Sequence, residues 1–109
     1  MPSRQVQIEE TIASLRWKRY VKPCPITGTI EQVQITWRDG CKDLVDVAVG
    51  MGDRWLVPSE SRTYIARNGT TLTFPCKEAV GKGETLWAEM NNGDESNDHF
   101  ISVVLSVIG

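Results

Sequence analysis

The side chains able to carry chemistry in this 109-residue chain are few, and their spacing restricts what they can do. Cys24, Cys41 and Cys76 stand 17 and 35 residues apart, so none forms the Cys-x-x-Cys pair of a zinc ribbon or a redox site. An odd count also suits a disulfide framework poorly. Reduced, buried thiols are the expectation, with one disulfide and one free thiol as the alternative. His99 is the sole histidine, so any imidazole chemistry must run through it, and at the head of an apolar run it reads as a strand residue. Ser59, Ser61 and Cys76 sit in no nucleophile motif, and Gly-x-Ser-x-Gly is absent. The adjacent carboxylates Glu9-Glu10 and Asp94-Glu95 read as solvated surface. We therefore expect no enzyme, no catalytic residue and no cofactor.

Two ligand chemistries remain to weigh. In the loop Asn91 to Asp98, the oxygens of Asp94, Ser96 and Asp98 alternate as in a calcium loop. The glycine and the distal glutamate of an EF-hand are missing, however, and the flanks read as strands, so a solvated turn without metal is expected. Tryptophan is abundant, with four residues: Trp17, Trp37, Trp55 and Trp87. Trp37 shares a stripe with Val33 and Ile35 and belongs in a core. If an aromatic platform for a sugar exists, Trp55, Tyr64 and Trp87 are its members. Asn68-Gly69-Thr70 matches a glycosylation sequon, but a tight turn explains Asn-Gly without it.

Strands must position these groups. Val, Ile and Thr number 28 against 11 for Leu plus Ala, and nine Gly and five Pro interrupt the chain at short intervals. Branched side chains suit a pleated surface, so the composition favours short strands joined by turns. Val33, Ile35 and Trp37 alternate with polar residues, and Ile30 is out of phase with them, which calls for a bulge near Glu31. Further strands are expected at Leu44 to Val49, Trp55 to Val57, Glu84 to Met90 and His99 to Ile108. Tyr64 to Ala66 and Thr71 to Phe74 should form a hairpin closed by Asn68-Gly69. Ile8, Ile12 and Leu15 fit a helical stripe, whereas Ala13 to Val21 reads as a strand. The fold expected is all-β, a two-layer antiparallel β-sandwich of jelly-roll type over residues 13–109, with residues 1–12 as an N-terminal arm free to reach a neighbour.

A net charge of −2 argues against a nucleic-acid binder. No run approaches the ~20 apolar residues of a membrane helix. The first twenty residues lack the apolar core of a secretory signal, so no export is expected. Residues 1–22 sum to +3 and Glu84 to His99 to −5, which permits a charge-complementary contact within one chain or between copies.

The last strand carries Ile101, Val103, Leu105 and Val107 on one face and Phe100, Val104 and Ile108 on the other. A strand apolar on both sides suggests cover from another layer or subunit. Ile8, Ile12, Trp17, Phe100, Val104 and Ile108 are accordingly the expected subunit interface.

Gly28-Thr29-Ile30 opening one strand, Val80-Gly81-Lys82-Gly83 leading into the penultimate one, and an Asn/Asp-rich loop before Ile-x-Val-x-Leu-x-Val together resemble small jelly-roll proteins of virus and phage particles. That resemblance spans Gly28 to Gly109. It implies a self-assembling capsid-decoration, spike or fibre-head subunit, often a trimer, whose partners are its own copies or a capsid protein. It would place the chain in a virion or in the cytoplasm of the producing cell. The alternative is a carbohydrate-binding module.

Overall fold

The computed structural model describes residues 3–109, and no helix occurs among them. Eight strands follow in order: β1 (Ser3–Ile12), β2 (Trp17–Pro23), β3 (Gly28–Trp37), β4 (Val45–Met51), β5 (Arg54–Val57), β6 (Thr70–Val80), β7 (Thr85–Asn92) and β8 (His99–Ile108). The chain is a long antiparallel hairpin rolled on itself: β4 pairs with β5, β3 with β6, β2 with β7 and β1 with β8. Rolling places β3 beside β8 and β4 beside β7, which makes two four-stranded sheets, β1-β8-β3-β6 and β2-β7-β4-β5. That order is a jelly roll, the architecture expected from the sequence.

Alternation builds the core. Val33, Ile35 and Trp37 of β3 and Ile101, Val103, Leu105 and Val107 of β8 are buried against Val45, Val47 and Val49 of β4 and Leu86, Ala88 and Met90 of β7. The Trp37 indole N–H donates to the Val45 carbonyl at 3.0 Å, which joins the sheets by a bond as well as by packing. The bulge falls where the phase slip of Ile30 requires it, between Ile30 and Gln32.

Three local expectations are corrected. The first concerns the N-terminus. Residues 3–12 are no free arm: they form β1, paired in register along β8, with Val6, Ile8 and Ile12 buried in their own sandwich. Even spacing at residues 6, 8 and 12 suits a strand as well as a helix, and the sheet edge decides it. The strand expected over Ala13 to Val21 begins later, at Trp17, because Ala13 to Arg16 is the turn between β1 and β2, with Leu15 at φ 56°.

The second concerns the Asn68-Gly69 hairpin. A turn does form there, with Gly69 at φ +57°, but β6 pairs with β3, and Ile65 instead bridges to Val47 on the other sheet. The Asn68 Oδ1 accepts N–H groups of Gly40 and Lys42 at 2.9 and 2.8 Å, and its amide donates to Asp39 at 3.2 Å. The residue clasps the β3–β4 loop.

The third concerns β8. It is an interior strand flanked by β1 and β3, so its own chain supplies both neighbours and buries the Ile101–Val107 face. Phe100, Val104 and Ile108 lie half-buried on the outer side.

Candidate functional site

Two outer faces and one loop hold the residues singled out by the sequence. On the outer face of β2-β7-β4-β5, the cross-strand rows are Arg19, Glu89, Ala48 and Val21, Trp87, Gly50, Trp55. The three aromatics expected to form a platform do meet here. Trp55 stands edge-on to Trp87, with centroids 4.9 Å apart, and to Tyr64 at 5.7 Å.

Trp87 is packed inside the cluster, whereas Trp55 is half-buried and Tyr64 is exposed. Trp87 is only 1% exposed, and the Arg19 guanidinium lies 3.9 Å over its ring. Gly50 makes room for it, since a Cβ there would stand 2.1 Å from Trp87 Cζ2 and 2.4 Å from the Arg54 carbonyl. Trp87 also donates its N–H to the Gly52 carbonyl at 2.8 Å.

Glu89 is the polar centre of this cluster and was not apparent from the sequence. Its side chain is buried, with Arg19 at 2.7 Å on Oε1 and the Tyr64 hydroxyl donating to Oε2 at 2.8 Å. Burial, then the bond to the Glu89 carboxylate and its charge, pushes the Tyr64 hydroxyl above its ordinary pKa. The opposite charges noted at the two ends of the chain therefore meet within one subunit, across β2 and β7. Glu89→Ala leaves the Tyr64 hydroxyl and Arg19 without their acceptor. We expect a loss of about 1–3 kcal/mol in denaturant unfolding, at the modest end because Arg19 regains water, with Glu89→Gln losing less.

The loop between β7 and β8 is a solvated turn, exposed at every residue but Asp94, and it is held in order by hydrogen bonds. Asp94 Oδ1 accepts the N–H groups of Ser96 and Asn97 at 2.9 and 3.3 Å, and Oδ2 meets His99 Nε2 at 2.8 Å. Asp98 is turned away and accepts the Ser14 N–H at 3.0 Å. Buried Asn92 ties the loop down, donating to the carbonyls of Ile12 and Asn97 and accepting the Asp94 N–H. The calcium-like alternation thus serves backbone capping, and no cluster of three or more metal-ligating side chains forms among the described residues.

Hydrogen bonds from the Ser96 amide, then from His99, hold the Asp94 carboxyl down at about 2, below its ordinary 3.8. A carboxyl depressed in the folded state adds stability above its unfolded value, and that stability fades as pH falls from about 4 towards 2. Asp94→Asn should remove this part of the acid dependence, as read from unfolding midpoints on either side of that window.

The thiols are free: Cys24 and Cys41 are buried and Cys76 is half-buried. Burial raises the pKa of Cys41 and Cys76.

Of the six residues expected at a subunit interface, Ile8 and Ile12 are spent on the core, whereas Trp17 is 57% exposed on β2. Leu15 and Val21 are exposed beside it, at 63% and 59%. Phe100, Val104 and Ile108 form the midline of the outer face of β1-β8-β3-β6. By register, their neighbours on that face are Gln5, Gln7 and Thr11 of β1, Thr29, Gln32, Gln34 and Thr36 of β3, and Thr71, Thr73 and Pro75 of β6. Charge reaches the face at Glu9 and Lys77 on its edge strands, at Glu31 in the bulge of β3, and at Arg38, whose guanidinium sits 4.4 Å over the Phe100 ring. The centre of this face, around Val104, is uncharged.

No protein-family model matches the chain, and no curated protein matches its sequence. Among solved structures it is similar to FlhE, with a TM-score of 0.52 and 10% identity over 100% of both chains. It is also similar to PliG of Aeromonas hydrophila, a periplasmic inhibitor of g-type lysozyme. There the TM-score is 0.50 and the identity 10%, over 95% of this chain and 86% of that one. At such identity the likeness is one of fold.

Proposed function

We propose that this chain is a non-enzymatic structural subunit that associates with copies of itself through the outer face of β1-β8-β3-β6, in the virion-surface role that its jelly-roll resemblance implies. The uncharged centre of that face carries the reading. Bringing two such faces together desolvates Thr, Ser and Gln, which can re-pair across the contact, and hides the half-buried Phe100, Val104 and Ile108. It strands no charge around Val104, with Glu9 and Lys77 on the edge strands and Arg38 over Phe100 left to the rim, and interface cores are depleted of charge for that reason. Trp17, Ile8 and Ile12 drop out of the proposed interface, because Trp17 lies on the opposite sheet and the two isoleucines are interior.

Light scattering on the intact chain tests the reading. A mass of three chains is the value the resemblance implies, and two chains stacked about a two-fold axis would preserve the reading with a different symmetry. A 12.2 kDa particle at every concentration would remove it.

A further inference from the structure

We infer that the outer edge of β2 is a docking site for an extended, acidic segment of a partner protein, which adds a strand to the sheet β2-β7-β4-β5. The inference does not rest on self-association, since the two surfaces belong to different sheets.

The first observation is an unfilled hydrogen-bonding edge. The Arg16 carbonyl accepts the Asn92 N–H at 2.9 Å, and the Cys24 N–H donates to Glu84 at 2.8 Å, so even-numbered residues of this segment bond towards β7. By the alternation of an antiparallel ladder, Trp17, Arg19 and Val21 turn their N–H and C=O groups away from the sheet. These groups form a template for another strand.

The other edges are obstructed. β5 is only four residues long, Pro75 interrupts β6 at its middle whereas Pro23 stands at the very end of β2, and the Gln7 carbonyl of β1 is held by the Lys22 ammonium.

The second observation is chemical. The exposed side chains along this edge are apolar on the outer face, Trp17 and Val21, and basic around them, Arg16, Lys18 and Lys22. A cleft of about 270 Å³ lined by Ile8, Glu9, Glu10, Tyr20, Val21 and Lys22 runs along the inner side of the strand and offers a place for inward-pointing side chains. Two copies cannot share this edge favourably, because pairing β2 with β2 sets these cations against one another. An incoming strand with carboxylates facing Arg16 and Lys18, an uncharged side chain where Glu9 and Glu10 line the cleft, and aliphatic groups beside Trp17 and Val21 satisfies both the charge and the unpaired backbone.

The test is an amide NMR titration of the full chain with a short peptide alternating Glu and Val, against one alternating Lys and Val. We expect the Glu peptide to shift the Trp17, Arg19 and Val21 amides and to bind about tenfold more tightly than the Lys peptide, the sum of a few exposed ion pairs. Val21→Pro removes an outward N–H that the ladder does not use, so binding should be lost while the amide spectrum elsewhere and the mass in solution persist. If that variant does not fold, Lys18→Glu combined with Arg16→Glu should reverse the preference between the peptides. Equal binding of the two peptides, binding indifferent to Val21→Pro, or capture by phosphatidylserine vesicles with no response to either peptide would overturn the inference.

Discussion

Val104→Arg is expected to reduce the assembly to single chains while leaving each chain folded. Val104 sits at the uncharged centre of the face, between Gln7 of β1 and Gln34 of β3, so its side chain is half-exposed in the isolated subunit. An arginine there remains solvated in a lone chain, and unfolding should change by no more than about 0.5 kcal/mol. In an assembly, each copy would bring an unpaired cation into the contact. Like-charge juxtaposition and desolvation cost several kcal/mol together, so association should weaken by about a hundredfold or more. Sedimentation across a concentration series reads the change, and Val104→Thr, which keeps that centre uncharged, should leave the mass of the parent. A Val104→Arg protein that retains the parent's mass would place the contact elsewhere.

Trp37→Ala should have the largest effect on the fold itself. Trp37 ends β3 with its ring buried and its indole N–H bonded to Val45, so truncation opens a cavity between the sheets and leaves a carbonyl without its donor. Losses of about 3–5 kcal/mol accompany such deletions, against a total stability of about 5–15 kcal/mol for domains of this kind. Equilibrium unfolding in urea should show the midpoint fall steeply, or the variant should be unfolded outright. Trp37→Phe retains most of the volume and should lose considerably less.

How far the sequence disclosed this molecule depends on how local each signal is. The stripe Val33, Ile35, Trp37, the slip at Ile30 and the bulge that resolves it are visible in a few consecutive residues, and β3 forms as that pattern dictates. β8 likewise runs from His99 to Ile108 as its composition requires. What a strand pairs with is not local. Asn68-Gly69 specifies a turn correctly, yet the next strand crosses to β3 rather than returning along Tyr64 to Ala66, because rolling the long hairpin brings β3 and β6 together. For the same reason β1 looked like an arm: its partner lies at the other end of the chain.

The site was legible in part. Trp55, Tyr64 and Trp87 are brought together as their types suggested, but Trp87 lies under Arg19, which is paired with Glu89 and approaches only when β2 pairs with β7. The excess of basic residues before Lys22 and of acidic ones after Glu84 was the trace of that pairing in the sequence. The outer face leaves a fainter trace in the sequence: Ser102 and Ser106 share the outer side of β8 with Phe100, Val104 and Ile108. They are members of a Thr, Ser and Gln surface that becomes visible only when four strands lie side by side.

Because copies are proposed to meet on one sheet and a foreign strand on the other, solvent access at two aromatic residues separates the surfaces. Phe100 and Trp17 mark opposite faces, and hydroxyl-radical footprinting of the intact protein reports on both in one sample. The account predicts that oxidation of Phe100 falls as protein concentration rises through the association range, while that of Trp17 stays constant. Oxidation of Phe100 at one undiminished rate across the series, or concentration-dependent protection of Trp17 in its place, would contradict it.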